Sequence, residues 1–430
     1  MTNLNNDIYL EILKQSGITE VKNMCNSNRE FCNYCKKYKN TISKYLLDLY
    51  NVHYNDPNDF IYIMKRVKKE DFMLAKKDVK KETMNYSGIL KLYLKFYNQK
   101  VINCDNKKIT NIPSYPNLKE LYCNNNLLTK LSSYPKLESL NCKNNLLTEL
   151  PIYPNLKELD CYNNRITKLP NYSKLEYLDC NNNELIELPI YPNLKELDCN
   201  HNRITELPNY PELIFLDCNN NIITKLPSYS KLEGLNCFNN KLTQLQSYPN
   251  LKELGCNNNL LTKLSSYPNL KGLNCYNNKL TQLSSYSKLE YLDCNNNLLT
   301  KLSSYPNLKG LNFYNNKLTQ LSSYPNLQEL DCKNNSLNKL GNYPELILLV
   351  CSLNKLTKIG NYPKLEYLNG NNNLLTELPS YPELIYLDCI NNKITKFKSY
   401  KLITRRIITA QKISQQEKKI LFDAIKTYNN

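Results

Sequence analysis

The side chains best able to do chemistry in this 430-residue chain are 17 cysteines and two histidines. Cys32 and Cys35 have a separation common among zinc ligands, and Cys25 and His53 lie near them in the sequence. The set is irregular, however, and two cysteines three residues apart on a helix usually pack inward. We therefore predict no metal site.

A catalytic centre is not indicated either. His53 and His201 are the two histidines, and neither belongs to a Cys-His motif. The chain has no phosphate-binding Gly loop and no G-x-S-x-G motif. The carboxylates recur periodically, so choosing two of them as acid and base would be arbitrary. We predict no enzymatic activity and no cofactor.

Most of the cysteines belong to one position of a repeat. Fourteen of the 17 fall on a 19-residue register from Cys104 to Cys389, and a Tyr recurs every 19 residues from Tyr115 to Tyr400. A strict period of this length is typical of a solenoid. Equivalent residues of neighbouring parallel strands point the same way, so we predict reduced thiols. Reduced thiols, a start unlike a signal peptide and no apolar stretch of about 20 residues favour a cytoplasmic protein without membrane contact.

One repeat, residues 118–136, shows how the elements must form. Its sequence is LKELYCNNNLLTKLSSYPK, numbered here 1 to 19, and positions 1, 4, 6, 11 and 14 are apolar or small. Alternation over positions 3 to 7 predicts a short strand with 4 and 6 inward and 3, 5 and 7 outward. Tyr-Pro at positions 17 and 18 opposes a helix, so the return should be extended and the strands should stack in parallel.

Position 9 is Asn in every full repeat. An inward Asn amide offers two donors and an acceptor to the backbone of a turn, so we predict a structural Asn ladder. We expect Asn221→Ala to lower the melting temperature more than Asn220→Ala, at the more exposed position 8. The first rungs of the predicted ladder are Asn126, Asn145, Asn164, Asn183, Asn202, Asn221 and Asn240.

The pattern L-x-x-L-x-C-x-x-N-x-[LI]-x-x-L resembles the leucine-rich repeat, with Cys where that family often has Leu. The form LPIYPNLKELD, residues 150–160, resembles the short repeats of bacterial effector proteins. The resemblance implies an α/β-type solenoid: a leucine-rich repeat arc with parallel strands on its concave face and an extended, helix-poor convex face. It also implies a non-enzymatic scaffold that binds a protein partner on the concave face.

The outward strand positions would form that face. They carry twelve carboxylates against two Lys, whereas the whole chain has a net charge of +17. Such a face would repel phosphate, which argues against nucleic-acid binding. Two interpretations are open: solvated strand residues copied by duplication, or a site for a partner with a basic surface, anchored by aromatic rings. The candidate contacts are Asp160, Tyr162, Tyr177, Asp179, Asp198, Phe215, Asp217, Phe238, Tyr276 and Tyr291.

The two ends of the chain do not repeat. We predict a helical N-terminal domain over residues 1–100, repeats over residues 101–400 and a C-terminal cap helix over residues 401–430. DIYLEIL, residues 7–13, followed by a polar-Arg-Phe sequence at residues 28–31, resembles an F-box.

That resemblance implies an alternative role as the substrate adaptor of a cullin-type ubiquitin ligase. Ile8, Leu10, Ile12 and Leu13 would contact the ligase adaptor, unless they form only the core of a helical cap. Cys-bearing repeats after an F-box-like start are also similar to proteins of giant DNA viruses of amoebae. That likeness implies the host cytoplasm as the site of action.

Overall fold

A computed structural model describes residues 100–112, 114–115 and 117–394. The predicted N-terminal helices, the F-box-like segment with Ile8, Leu10, Ile12 and Leu13, and the predicted cap helix all lie outside these residues. So does the Cys32–Cys35 pair. The chain divides into a first compact unit that ends at Leu194 and a second that begins at Lys195.

Each repeat contributes one three-residue strand, at positions 3 to 5. The first unit contains β1 (Val101–Asn103), β2 (Glu120–Tyr122), β3 (Ser139–Asn141), β4 (Glu158–Asp160) and β5 (Tyr177–Asp179). The second contains β6 (Glu196–Asp198), β7 (Phe215–Asp217), β8 (Gly234–Asn236), β9 (Glu253–Gly255), β10 (Gly272–Asn274), β11 (Tyr291–Asp293), β12 (Gly310–Asn312), β13 (Glu329–Asp331), β14 (Leu348–Val350), β15 (Tyr367–Asn369) and β16 (Tyr386–Asp388).

Within each unit the strands pair in parallel with their neighbours in sequence, and equivalent repeat positions lie opposite each other. Glu120 pairs with Ser139, for example, and Gly272 with Tyr291. The part of the chain that the structure describes contains no helix, and so none able to cross a membrane. The prediction of a helix-poor solenoid with parallel strands is therefore confirmed for the repeats. The strands are shorter than expected, because position 7 already belongs to the turn.

The core is a set of stacked columns. In the repeat that begins at Leu118, the buried residues include Leu121, Cys123 and Leu128, each 0% exposed. The cysteine column consists of free thiols, 13 of them buried. Burial raises the pKa of thiols in this column, for example that of Cys142 and Cys275, and to about 12 for Cys104. No group of side chains suited to a metal ion occurs among the described residues.

The Tyr at position 17 is also part of the core, which the sequence pattern did not reveal. Tyr267 is 0% exposed, and its ring stacks on that of Tyr286 with centroids 6.3 Å apart. Its hydroxyl donates to the carbonyl of Gln246 in the preceding repeat at 3.1 Å. Its own carbonyl closes a turn by accepting from the amide of Leu270 at 3.2 Å. This Tyr thus fixes the return segment from both sides.

The position 9 amides bond to the backbone of two adjacent repeats. Asn221 Nδ2 donates to the carbonyl oxygens of Cys199, Cys218 and Asn219 at 3.0–3.2 Å. Its Oδ1 accepts from the backbone amide of Ile204 at 2.9 Å. Asn221 thus satisfies four backbone groups. The same kinds of bond recur at Asn126, Asn145, Asn164, Asn183 and Asn240, and Asn202 donates to the carbonyls of Cys199 and Asn200.

Position 8 has a separate backbone role. Asn220 has a φ of 51°, and every other full repeat also has a positive φ at this position. Asn tolerates the left-handed region better than most residues. The exposed amides at position 8 also bond to one another, as between Asn239 Nδ2 and Asn220 Oδ1 at 2.8 Å. Two repeats have another residue at this position, His201 with a φ of 49° and Leu353 with a φ of 57°. His is also found in the left-handed region more often than most residues, whereas Leu is not.

Candidate partner-binding surface

We call the outward side chains at positions 3, 5 and 7 the strand face of each unit. The predicted contacts divide between the two units. Asp160, Tyr162, Tyr177 and Asp179 lie on the strand face of the first unit, and Asp198, Phe215, Asp217, Phe238, Tyr276 and Tyr291 lie on that of the second. We describe the two strand faces separately.

The carboxylates at position 5 terminate the strands. Oδ1 of Asp160 accepts from the backbone amide of Tyr162 at 3.2 Å, two residues later. Asp217 Oδ1 accepts from the amide of Asn219 at the same distance. Asx turns of this kind leave the second carboxylate oxygen for other partners. The position 5 carboxylates therefore stabilise the turn after the strand. They are not merely solvated residues that were copied with the repeat.

Several of these carboxylates are poorly hydrated. Burial raises the pKa of Asp217 to about 6, although the backbone amide of Asn219 opposes the shift. Burial also raises the pKa of Asp331 to about 6 and that of Asp293 to about 7. Near neutral pH the strand face of the second unit therefore carries less negative charge than its carboxylate count suggests.

In the first unit a lysine lies close to one of the predicted acids. Lys143 Nζ is 3.5 Å from Asp160 Oδ2, and both residues belong to the strand face. A pair with this separation is partly exposed and contributes little to stability. The positive charge of Lys143 does, however, weaken the attraction between Asp160 and a cationic group of a partner.

Lysines and glutamates share position 2, just before each strand. There lysines and glutamates of adjacent repeats pair, as in Lys252 Nζ to Glu233 Oε2 at 2.7 Å and Lys309 Nζ to Glu290 Oε2 at 2.6 Å. The hydrogen bonds from Lys119 and Lys157 lower the pKa of Glu138 in the first unit. Four lysines at this position, Lys119, Lys157, Lys252 and Lys309, therefore pair with glutamates of an adjacent repeat.

Two aromatic rings at position 3 of the second unit, Phe215 and Tyr291, lie against glycines of the next strand. A Cβ added to Gly234 would come within 2.8 Å of the Phe215 ring, and one added to Gly310 would come within 3.0 Å of the Tyr291 ring. The absence of a side chain at these glycines lets the rings approach the backbone. Phe215 nevertheless remains 48% exposed. It is thus a large apolar group that is positioned by its neighbours and accessible to a partner.

A second set of aromatic residues occupies position 7 of the second unit. Phe238, Tyr276 and Tyr314 lie 38 residues apart, on every second repeat. The repeats between them have buried Asn at this position, with Asn257 and Asn295 each 4% exposed. Tyr314 and Asp293 were not among the candidate contacts predicted from the sequence. The two-repeat spacing of the aromatic residues was the signal that could have identified Tyr314, whereas no sequence signal distinguishes Asp293 from the other position 5 carboxylates.

Comparison with known proteins agrees with this architecture. A family model described as "Leucine Rich repeats (2 copies)" matches residues 135–174, 154–192 and 192–231. No curated protein matches the chain. Among solved structures, YopM from Yersinia enterocolitica aligns with a TM-score of 0.52 at 22% identity, over 78% of this chain and 98% of that one.

Two further structures are more similar in sequence. YopM from Yersinia pestis, described as a leucine-rich effector protein, is 28% identical with a TM-score of 0.54, over 72% of this chain and 89% of that one. The functional domain of InlJ from Listeria monocytogenes, described as including a cysteine ladder, is 29% identical with a TM-score of 0.55, over 69% of each chain. The family match and these structures support a leucine-rich repeat protein with repeats of about 19 residues.

Proposed function

We propose that this chain is a non-enzymatic scaffold that binds a protein or peptide partner with a basic surface through the strand face of its repeats. The observation that carries the proposal is the set of exposed aromatic rings held among carboxylates. Aromatic anchors with complementary charges around them are typical of binding surfaces. The columns that build the core are buried, so these rings are not needed to complete it.

The arrangement favours a protein over a nucleic acid as the partner. Carboxylates on the strand face would repel phosphate, and several lysines at position 2 are paired with glutamates. A basic protein segment would meet rings for apolar contact and carboxylates for its cations. We propose the cytoplasm as the site of action, the host cytoplasm if the chain is viral, because the buried thiols are compatible with a reducing compartment.

Affinity capture with matched variants tests the scaffold proposal. Phe215 on the strand face and Ile222 in the turn that follows β7 are 48% and 47% exposed. We expect Phe215→Ala to reduce capture of the partners bound by the unmodified chain at least tenfold. Ile222→Ala should leave capture within twofold. Equal capture by both variants would show that partners do not use this strand face.

A second candidate function is substrate recognition for a cullin-type ubiquitin ligase. The supporting observation is the F-box-like sequence of residues 7–13 and 28–31. In that case the repeats would hold the substrate and the N-terminal region would hold the ligase adaptor. The full chain should then copurify with the adaptor, and Ile8→Asp together with Leu10→Asp should abolish copurification while leaving capture through the repeats intact. Copurification that survives both changes would contradict the adaptor role.

A further inference from the structure

Long side chains alternate with glycine along one row of the strand face in the second unit. Position 3 is Gly on β8, β10 and β12, whereas the strands between and beside them carry a long side chain there. Parallel pairing places these residues opposite one another in an unbroken register from β7 to β13. We call the long side chains of this register the position 3 row: Phe215, Glu253, Tyr291 and Glu329. Aromatic rings thus alternate with carboxylates on every second strand.

The glycines let the long side chains lie across the next strand. Phe215 and Tyr291 each lie over the glycine that follows them in the register. The Glu253 carboxylate covers Gly272 so closely that a Cβ added there would overlap it. These three side chains lean in the same direction, so the spacing of their outer groups follows the spacing of the strands.

Strands β15 and β16 show what happens where no glycine intervenes. Tyr367 and Tyr386 occupy position 3 of these neighbouring strands, and their rings stack with centroids 4.3 Å apart and planes 4° from parallel. Each ring therefore covers one face of the other. In the position 3 row, the following strand provides no such cover for Phe215, Glu253 or Tyr291, because its residue is Gly.

The members of the row can be reached from solvent. Phe215 is 48% exposed, and Tyr291 is half-buried. Glu253 and Glu329 are exposed, and neither forms an ion pair with a residue in the described ranges. Partial burial against the sheet raises the pKa of both carboxyls, and Lys271 only partly offsets the shift at Glu253. Because both groups have already lost some hydration, pairing with a cation would cost them less desolvation.

The spacing of the row matches one regular backbone conformation. Neighbouring strands lie about 4.8 Å apart, so successive members of the row are separated by about 9.6 Å. A polyproline II helix has three residues per turn and rises about 3.1 Å per residue, so every third residue returns to the same face after about 9.3 Å. Residues on one face of a β-strand recur after about 6.7 Å, and those on one face of an α-helix after about 5.4 or 10.5 Å. Over the three intervals of the row, a polyproline II segment drifts by only about 1 Å.

We propose that the position 3 row binds a polyproline II segment of the partner in which every third residue is alternately apolar and basic. The inference rests on the proposed scaffold function and specifies the conformation and side-chain pattern of the partner. Apolar residues of the segment, proline included, would pack on the rings of Phe215 and Tyr291. Its Arg or Lys residues would pair with Glu253 and Glu329. Such a segment is preformed and loses little entropy when it binds an aromatic surface.

Fluorescence anisotropy titration of the full chain with labelled decapeptides tests this proposal. The probe LPPRPPLPPR has Leu and Arg alternating at every third position of a proline-rich segment. The comparison peptide LPRPPPLPRP has the same composition but places Leu and Arg on different faces of the helix. We expect the probe to bind at least tenfold more tightly than the comparison peptide. Replacing its prolines with Gly, as in LGGRGGLGGR, should weaken binding at least fivefold, because a flexible chain must be ordered on binding.

Variants of the chain show whether the row makes these contacts. Phe215→Ala combined with Tyr291→Ala should reduce affinity for the probe at least tenfold. Glu253→Gln combined with Glu329→Gln should reduce it at least fivefold. Glu345→Gln is the matched control, because Glu345 is at position 19, outside the strand face, and it should change the affinity less than twofold. Circular dichroism and melting curves show whether each variant is folded.

Equal affinity for the probe and the comparison peptide, or no binding of the probe, would overturn the proposal. So would probe binding that both double variants leave unchanged. Equal binding of the glycine peptide would exclude recognition of a polyproline II segment. Capture of partners that still depends on Phe215 would in each case leave the scaffold function standing.

Discussion

At the scale of single residues, the turn after each strand depends on two adjacent Asn side chains with different functions. Asn221 bonds to the backbone of its own and the preceding repeat, whereas Asn220 adopts a left-handed conformation. The first function was predicted from the recurrence of Asn, and the second was not. Asn220→Ala is therefore a poor control, because Ala would itself be strained at a φ of 51°.

A better comparison is Asn221→Ala with Asn220→Gly. Removing the Asn221 amide leaves buried carbonyl and amide groups without partners, which should lower the free energy of unfolding by about 1–3 kcal/mol. Gly adopts positive φ readily, so Asn220→Gly should cost only a few tenths of a kcal/mol. Urea denaturation measures both values. A larger loss for Asn220→Gly would contradict the assigned functions.

Replacing Leu353 with Asn should stabilise the fold if a positive φ strains the backbone of a Leu residue. It has a φ of 57° and is 43% exposed, so it gains little from burial. Leu353→Asn should raise the free energy of unfolding by about 1 kcal/mol, because Asn tolerates this conformation better than Leu. Leu374→Asn is the control, since Leu374 is 40% exposed but does not have a positive φ. Equal effects of the two changes on the melting temperature would exclude backbone strain as the cause.

The desolvated carboxylates predict a pH dependence of stability. Asp217, Asp293 and Asp331 have pKa values raised to about 6 or 7, well above that of an unfolded Asp. The folded state therefore binds more protons than the unfolded state between about pH 4 and pH 7. The stability contributed by these groups is fully present below the unfolded pKa and is lost as the pH rises through the folded values.

Replacing all three residues with Asn should isolate this effect. We expect the variant to exceed the unmodified chain in unfolding free energy by several kcal/mol at pH 8, and by at most about 10 kcal/mol, since each pKa unit corresponds to about 1.4 kcal/mol. The difference should shrink towards zero at pH 4. Melting curves at several pH values test this, and a difference independent of pH would show that these carboxylates are well hydrated.

At the scale of elements, each repeat combines a three-residue strand with an extended return. The strand followed from the alternation of Leu121 and Cys123 with polar neighbours, and its parallel pairing followed from the short repeat. The burial of the Tyr column did not follow, because a Tyr-Pro turn is compatible with either an exposed or a buried ring. The strict recurrence of Tyr was nevertheless a sign that its environment is the same in every repeat.

The Tyr column should stabilise the return segments through both its rings and its hydroxyls. Tyr267→Phe keeps the stacked ring but removes the hydroxyl that donates to the Gln246 carbonyl. We expect a loss of about 1 kcal/mol in unfolding free energy. Tyr267→Leu should cost about 2–4 kcal/mol, because packing is lost as well. Denaturant titration distinguishes the two, and no loss for Tyr267→Phe would mean that the hydroxyl bond adds nothing.

The candidate site was only partly predictable at this scale. The sequence identified Phe215, Phe238 and Tyr276 because they are aromatic residues at outward positions. It did not identify Asp293 as different from the other carboxylates, because its burial depends on side chains of the flanking repeats. Nor could the 19-residue period reveal the aromatic residues on every second repeat, which require two successive repeats of different composition.

For the whole molecule, alkylation of the buried cysteine thiols can be used to detect unfolding of the repeats. Thirteen described thiols are buried, and burial raises their pKa values. They should resist iodoacetamide at pH 8 in the native protein and react together once denaturant unfolds the repeats. Mass spectrometry of tryptic peptides counts the modified residues. Rapid alkylation of Cys218 or Cys275 under native conditions would contradict the buried column.

The central claim is that partners bind to the strand face, and site-specific photocrosslinking tests it most directly. A benzophenone amino acid is placed either at Phe215 on the strand face or at Ile222 in the turn, two positions of nearly equal exposure. Illumination with the captured partner should produce a crosslink from position 215 to a basic segment of that partner, and little from position 222. Crosslinking from position 222 with none from position 215 would show that partners do not bind to the strand face.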